Sequence, residues 1–228
     1  SKINKYIGYT DKELCELFDR KYNNSKAQWI DLAYRMLGIK SNRAQEFVKA
    51  NIVVKAVRLK EDGKMVESSS LPPMQLKEFV NEEWEESTLY SYFSETKFFF
   101  VVFKKEGEVY RLKGSQLWNM SNHDLENLVK DGWEKVRKVV AEGIQFTKTR
   151  NRNGGLVIKN NLPKKKDNEV IHIRPHSSKT CYILEDGEQI GDGTYTHGDQ
   201  LPDGRWMTKQ SFWINNNYFL SQLNDNLK

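Results

Sequence analysis

The stretch EFVKANIVVKAVRL, residues 46 to 59, has side chains whose types and spacing are typical of metal-dependent nucleases. Such sites combine two carboxylates that hold Mg²⁺ with a lysine that stabilises the charge building on a phosphate. Glu46 can supply the first carboxylate and Lys55 the lysine. The second carboxylate belongs two residues before that lysine, where the chain has Val53. A valine cannot ligate Mg²⁺, so the stretch leaves two alternatives, a nuclease and a nuclease fold that has lost its chemistry.

A second group of candidate residues lies in a basic segment, 148 to 179, which has nine Lys or Arg and two acids. Within it, Lys164, Lys165 and Lys166 follow Pro163 in a predicted loop. Lysines in such a loop can neutralise phosphates without reading sequence. A solvated surface loop is the alternative interpretation.

The motif HIRPH ends a predicted strand with Arg174, followed by Pro175, which stiffens the turn. An arginine held in this way can reach a guanine edge with two hydrogen bonds, although an ordinary surface arginine has the same pattern. His172, His176 and Cys181 raise the question of zinc, but no fourth ligand stands at a usual spacing, so we do not expect a zinc site.

The stretch SFWINNNYF, residues 211 to 219, mixes aromatic side chains with three asparagines. Asn215 is a candidate for pairing with adenine, and Trp213 for stacking or for touching a thymine methyl group. The alternative is a strand end with an Asn-rich turn and a buried aromatic cluster.

The elements that must position these residues alternate between helices and strands. Thr10 with Glu13 and Ser25 with Gln28 both have the spacing of a helix N-terminal capping box. NIVVKAVRL predicts a strand, with KMVESSS returning as its partner, and KFFFVVFKKEGEVYRLKG predicts a hairpin. A long helix is expected from Ser121, weakened in its middle by Gly132. Short strands follow, then a closing helix over about 216 to 226. The pattern predicts an α/β fold with a mixed sheet.

Composition limits the class of protein. The chain has 228 residues, 38% of them hydrophobic, and a net charge of +5, so we expect a packed globular fold whose charge is compatible with nucleic acid. No apolar run approaches the ~20 residues of a membrane helix, so no membrane partner is expected. Cys15 and Cys181 form no disulfide framework, which fits a reducing, cytoplasmic location. The opening SKINKY suggests a fragment of a longer chain.

Seven blocks, taken in order, resemble the MutH-like family of GATC-specific endonucleases. They are WIDLAYRMLG, EFVKANIVVKAV, GKMVESS, WEESTLYSYF, SQLWNMSNHDLENLVKDGWEKV, EVIHIRPH and SFWINNNYFLSQL. The resemblance implies a restriction-endonuclease-like fold, in which a mixed central sheet is flanked by helices. It implies one domain over residues 1–228, with an N-terminal extension and helix, residues 1–24, outside the match.

The family's catalytic set is an Asp, then a Glu-x-Lys, then a second lysine. By this resemblance Glu46 stands at the Asp, Val53 at the Glu and Lys55 at the first lysine. The second lysine falls near Tyr92. The resemblance therefore implies a degenerate remnant of the catalytic site, with no catalytic residues and no metal in this chain.

The family's DNA-contacting positions are better preserved. Its Arg-Pro turn is kept as Arg174 and Pro175, and the lysine that follows is His176 here. A family tyrosine near the methylatable adenine falls at Trp213, and Glu67 matches an acid of the DNA cleft. The resemblance thus implies that binding persists where cutting has been lost.

Double-length members of this family carry one domain that cuts and one that binds a second GATC copy as an allosteric effector. The resemblance implies that this chain is such a silent C-terminal domain of a type II restriction endonuclease. By this resemblance its partners are double-stranded GATC DNA and the catalytic domain of the same chain, and a DNA-induced dimer is compatible with it. No cofactor is expected here, and Mg²⁺ is expected for the parent enzyme.

Two alternatives stay open at this point. In the first, Glu46, Glu67 and Lys55 form a rearranged metal site and the chain is an active endonuclease. In the second, the chain is a structural or dimerisation domain without DNA affinity.

Overall fold

The computed structural model describes residues 2–23, 25–39 and 44–228, with the main chain alone described for 44–46. The helices are α1 (Asp11–Leu17), α2 (Lys26–Leu37), α3 (Ala44–Lys49), α4 (Leu76–Phe79), α5 (Thr88–Glu95), α6 (Asn122–Asp124), α7 (Lys130–Glu142) and α8 (Asn216–Gln222). The strands are β1 (Ile52–Leu59), β2 (Ser69–Pro73), β3 (Lys97–Glu106), β4 (Val109–Trp118), β5 (Phe146–Arg150), β6 (Leu156–Asn160), β7 (Ile171–Pro175), β8 (Tyr182–Ile183), β9 (Gln189–Ile190), β10 (Gly198–Gln200), β11 (Trp206–Thr208) and β12 (Gln210–Ile214). None of the helices in these ranges is long and apolar enough to cross a membrane.

The chain divides into two compact units, each built from separate segments. The first unit comprises residues 1–68, 94–120 and 216–228, and the second comprises 69–93 and 121–215. The arrangement is α/β, as expected from the sequence. The single domain over 1–228 stays a prediction.

The first unit is built on a mixed sheet in the order β1–β3–β4, with β1 parallel and β4 antiparallel to β3. One face of β3 meets the α2 side, where the Trp29 ring packs edge-on against Phe103, 5.2 Å between centroids. On the other face Phe100 packs against Phe219 of α8, 4.5 Å between ring centroids. Because β3 is covered on both faces, its sequence FFFVVF is apolar at every position.

The helix starts confirm one of the two predicted capping boxes. The Thr10 side chain accepts from the Glu13 N–H, and the Glu13 carboxylate accepts from the Thr10 N–H at 2.7 Å. The capping box predicted at Ser25 is wrong, because the Ser25 hydroxyl donates to Asn23 Oδ1 at 2.8 Å. The Gln28 side chain instead accepts from the Asn23 N–H at 2.9 Å. A competing local hydrogen bond has therefore replaced the cap.

The strand pairing predicted for KMVESSS is limited to its first residues, where the Lys60 N–H donates to the Lys64 carbonyl and the Val66 N–H to the Arg58 carbonyl. Met65 makes only an isolated bridge to Leu59, and β2 pairs with β12 instead of β1. Pro72 and Pro73 lack the N–H that a central strand must donate, and β2 accordingly lies at the edge of its sheet.

The second unit contains two antiparallel sheets and a separate hairpin. Their orders are β2–β12–β7, β10–β11–β8–β9 and β5–β6. The apolar side of the β7–β12 pair faces the long helix, where Phe79 packs edge-on between Trp133 of α7 and Phe212 of β12. The helix begins at the predicted cap, since the Asp124 N–H donates to Ser121 Oγ at 3.0 Å. A π-helical segment, Leu125–Val129, joins α6 to α7.

Gly132 of α7 allows the strand layer to approach the helix closely. A Cβ at this position would lie 2.9 Å from the Asn168 side-chain amide and 2.9 Å from Ile171 Cγ1. The Asn168 amide cannot easily retreat, because its Nδ2 donates to the Leu128 carbonyl at 2.7 Å. The glycine that helix propensity treats as a weak point is therefore a packing requirement.

We expect Gly132→Ala to lower the free energy of unfolding by about 1–3 kcal/mol, because the added methyl group overpacks this contact. Helix propensity alone predicts the opposite sign, a gain of about 0.8–1 kcal/mol. Urea denaturation measures the difference, with Glu134→Ala, an exposed change on the same helix, as the matched control. A more stable Gly132→Ala chain would show that the strand layer can move away from α7.

Candidate nucleic-acid interface

The antiparallel pair β7–β12 gathers four of the predicted DNA-binding residues on one face, namely Arg174, His176, Trp213 and Asn215. Ladder partners are His172 with Trp213 and Arg174 with Ser211, and side chains alternate between faces along each strand. We call the side opposite the apolar core the polar face. Its members are His172, Arg174, His176, Ser211, Trp213 and Asn215.

The Arg174 guanidinium lies over the ring of Trp213, with Cζ 3.8 Å from the ring centroid. Arg174 is exposed, and no residue in the described part of the chain forms an ion pair or hydrogen bond with its guanidinium. Stacking of this kind contributes about 0.5–1 kcal/mol at exposed sites. The ring thus holds the cation in place while its N–H donors stay free for a ligand.

His176 supports this arrangement from the end of the strand. Its N–H donates to the Lys209 carbonyl at 2.8 Å and continues the ladder past Pro175. Its Nδ1 lies 2.8 Å from Ser211 Oγ, and its ring packs against Trp213 at 5.3 Å between centroids. His176 therefore helps to fix the ring on which Arg174 stacks.

Asn215 is used within the protein. Its side chain is 5% exposed, its Nδ2 donates to the Asn168 carbonyl at 2.7 Å, and its Oδ1 lies 2.6 Å from His172 Nδ1. Because Oδ1 can only accept, the proton of the His172 ring lies on Nδ1. This geometry gives Asn215 a positioning role, and pairing of its amide with adenine stays a prediction.

His172 is held neutral at the same place. Burial lowers the pKa of the His172 ring below its usual value, against a smaller opposing effect of the hydrogen bond with Asn215. Nearby Lys165 and Arg174 lower the pKa further by charge repulsion.

The three lysines after Pro163 are exposed and lie in a loop with one short 3₁₀ turn, Lys165–Asp167. The Lys164 N–H donates to Asp167 Oδ2 at 2.6 Å, and its Nζ donates to the Asn160 carbonyl at 3.0 Å. Lys165 and Lys166 form no ion pair with any residue in the described ranges. The predicted loop is therefore present and presents a concentrated positive charge.

His172, His176 and Cys181 do not form a shared site. The two histidines are bonded to Asn215 and Ser211 respectively. Cys181 is buried, and its N–H donates to Thr208 Oγ1 at 3.0 Å. Among the side chains that the structure describes, no group of three or more His, Cys, Asp or Glu is placed to hold a metal ion.

The nuclease-like positions of the first unit lie on β1. Val53 and Lys55 are two residues apart and therefore share a face of the strand. Both are half-buried, and burial lowers the pKa of Lys55, so its positive charge is held less firmly than that of an exposed lysine. The side chain of Glu46 lies outside the described residues, and only its place in α3 is given.

The remaining nuclease-like position, Tyr92, lies on α5 in the second unit. Burial raises the pKa of Tyr92 to about 12. The phenol therefore stays neutral at physiological pH and cannot supply the positive charge of a catalytic lysine.

Glu67 is already paired within the first unit. Its carboxylate forms an ion pair with Arg58, whose guanidinium lies 5.0 Å from the Trp29 ring centroid and 5.5 Å from that of Tyr110. A carboxylate held by an arginine is a poor ligand for a cation, because it would have to give up this partner first.

Sequence reasoning did not identify Ser211 and Asn168, which hold His176 and Asn215. The alternation of polar residues at 172, 174 and 176 and at 211, 213 and 215 carries this signal. It becomes informative only once the two strands are known to pair.

No protein-family model matches the chain. The chain is similar to the type II restriction enzyme Sau3AI of Staphylococcus aureus, with 32% identity over an alignment of 246 positions that covers 98% of this chain. That alignment covers 50% of Sau3AI, so the chain spans about half the length of the curated relative that it matches.

The neutral His172 predicts a pH dependence of stability. Its pKa in the folded chain lies below the unfolded value of about 6.5. As the pH falls through that value, His172 takes up a proton in the unfolded chain but stays neutral in the folded chain. The free energy of unfolding therefore decreases. We expect His172→Gln to lose this part of the pH dependence.

Urea denaturation at a series of pH values from about 5 to 8 measures the effect. His123→Gln is the matched control, because His123 is exposed at the start of a helix. Equal slopes for the wild type and both variants would contradict the interpretation.

Proposed function

We propose that this chain is the DNA-binding, non-cutting half of a type II restriction enzyme, which holds a GATC duplex as an effector for a catalytic domain of the same parent chain. Similarity to Sau3AI over almost the whole chain supports a role in a restriction enzyme. The observation that carries the proposal is the exposed guanidinium of Arg174, stacked on Trp213 and without an acidic partner among the described residues.

Arg174 is suited to reading a guanine in the major groove. A guanidinium donates two parallel hydrogen bonds to guanine O6 and N7, and this contact requires a fixed orientation. Stacking on Trp213 and the ladder around Pro175 provide that orientation before DNA arrives. Less conformational entropy is then lost on binding, and the preference for the correct base increases.

The lysines of the 164–166 loop serve a different purpose. They are exposed, and each carries its ammonium group on a flexible aliphatic side chain, so they suit phosphate contacts that raise affinity for any duplex. Readout and affinity would therefore come from separate elements of the second unit, which also contains the loop.

Cutting by this chain is disfavoured by the residues at the nuclease-like positions. Val53 offers no oxygen ligand, Tyr92 is a neutral phenol, and Glu67 is paired with Arg58. A rearranged metal site of Glu46, Glu67 and Lys55 would have to break that ion pair. We therefore assign Mg²⁺ to the catalytic domain of the parent enzyme, and a restriction-endonuclease-like fold without metal to this chain.

We expect the chain to bind a GATC duplex more tightly than a scrambled duplex, and Arg174→Ala to remove most of this preference. The variant should lose about 1–3 kcal/mol of binding free energy on GATC DNA and far less on scrambled DNA. Fluorescence anisotropy over a series of salt concentrations, on both duplexes, measures both effects.

The matched comparison replaces Lys164, Lys165 and Lys166 together by Ala. This variant should bind both duplexes more weakly, by the same factor. The slope of the logarithm of the binding constant against the logarithm of the salt concentration should become shallower by roughly 0.9 per lost contact. If Arg174→Ala loses the same binding free energy on both duplexes, Arg174 contacts phosphate and does not read a base. No preference for GATC in the wild type would contradict the proposed specificity.

We expect no cleavage of GATC DNA by this chain with Mg²⁺ or Mn²⁺, and none from Val53→Glu. The substitution supplies a second carboxylate, but Tyr92 still stands in place of the second lysine, and burial would raise the pKa of the new acid. Gel assays of a supercoiled plasmid detect single nicks, with Val53→Gln as the uncharged control. Specific, metal-dependent nicking by the wild type would overturn the non-cutting assignment.

A further inference from the structure

The β5–β6 hairpin carries basic residues without acids. Residues 146 to 160 contain four Lys or Arg and no Asp or Glu. We call residues 146–160, which make up the two strands and their turn, the basic arm. Because no acid of the same segment neutralises these cations, the positive potential at the surface is high and attracts a polyanion.

The arm is anchored only at its base. The Phe146 ring packs edge-on against Tyr182 at 5.2 Å between centroids and lies 4.5 Å from Arg205 Cζ. Lys148 forms an ion pair with Glu188. Beyond this base, no described residue outside the arm makes a hydrogen bond, ion pair or ring contact with residues 149–158.

The tip of the arm is nevertheless ordered by its own hydrogen bonds. Asn151 Oδ1 accepts from the N–H groups of Asn153 at 3.0 Å and Gly155 at 2.8 Å. The Asn151 N–H donates to the Gly155 carbonyl at 2.8 Å, and Gly154 adopts a φ of 80° that favours glycine. A two-stranded ribbon of this kind gains little stability from its own packing, so its ordered tip points to a use.

The exposed cations of the arm lie on both of its faces. By the ladder register, Lys148 and Arg150 share a face with Leu156 and Ile158, and Lys159 lies on the opposite face with Thr147 and Thr149. Arg152 projects from the turn. A single phosphate backbone would be met by cations on one face alone. Cations on both faces match the two backbones that line a groove.

From this arrangement we propose that the basic arm inserts into the major groove of the bound duplex. The thickness of a β-layer with its side chains is about 10 Å, which fits the major groove at about 12 Å and exceeds the minor groove at about 6 Å. Arg150 and Lys159 contact the flanking phosphates, and the tip reaches the base edges. The inference rests on the proposed DNA binding and adds a second contact to it.

The tip offers side chains that suit base edges. Arg152 can donate to guanine and Asn153 can pair with adenine, and both are exposed. Leu156, 41% exposed beside Arg150, offers an apolar surface for a thymine methyl group. Such a contact explains an exposed leucine near the tip of the ribbon.

The test compares two triple variants with the same loss of charge. The arm variant is Arg150→Ala/Arg152→Ala/Lys159→Ala, and the control is Lys12→Ala/Lys64→Ala/Lys138→Ala, three exposed lysines elsewhere. On a GATC duplex, the arm variant should bind at least about tenfold more weakly than the control at ~0.1 M salt. Its salt dependence should be shallower by roughly 0.9 per lost contact, whereas that of the control should match the wild type.

Methylation of guanine N7, which lies in the major groove, locates the contact. The wild type and the lysine control should protect the same guanines, and the arm variant should lose a subset of this protection. Arg174→Ala should lose a different subset. Thermal unfolding of both triple variants verifies that each is folded, which the exposed position of all six residues favours.

The outcomes separate the two proposals. If the wild type binds the duplex and the two triple variants bind equally, DNA binding stands and the arm is not a contact. If affinity falls in the arm variant but N7 protection is unchanged, the arm touches phosphates outside the major groove, and its insertion is overturned. If the wild type binds no duplex, the proposed function fails and the arm inference fails with it.

Discussion

Asn168 holds together the three elements on which the polar face depends, through its side chain and its main-chain carbonyl. Its Oδ1 accepts from the N–H groups of Val170 and Ile171, both at 3.0 Å, and its Nδ2 donates to the Leu128 carbonyl at 2.7 Å. Its main-chain carbonyl accepts from the Asn215 amide. The start of β7, the helix and the end of β12 are thereby tied to one residue. A slip of β7 by one position would exchange its two faces and bury Arg174.

The two units differ in what their residues can bind. In the second unit, the buried hydrogen bond between His172 and Asn215 lies on the same face of the ladder as the exposed guanidinium of Arg174, so one end of that face is buried and the other carries the charge. In the first unit, the nuclease-like positions of β1 are half-buried, where an unpaired carboxylate would be costly. Val53 avoids that cost. Under the proposed function, stability and metal binding favour different residues at this position.

Most features fixed by neighbouring residues could be predicted from the sequence, and those fixed by distant contacts could not. The predicted cap at Ser25 is a local failure, because Asn23 accepts the hydrogen bond of its hydroxyl. The Thr10–Glu13 cap and the β3–β4 hairpin depend on local spacing, and both were predicted correctly. The partner of β2 is decided by a strand far along the chain, and that prediction was wrong. For the site, residue types identified Arg174 and Trp213. Their stacking depends on the register between β7 and β12, and the four strands of another sheet lie between these two strands in the sequence. Gly132 shows the same limit, because its role depends on Asn168.

The β5–β6 hairpin, as a sheet of only two strands, leaves the outer edge of each strand without a partner in that sheet. Exposed edges of this kind can pair with the same edge of another copy and start aggregation. Like charges on neighbouring copies oppose such pairing, and this repulsion acts over a Debye length of about 10 Å at 0.1 M salt. The arginines and lysines of the hairpin thus oppose edge-to-edge association of two copies, and concentrated salt weakens this repulsion by screening their charges.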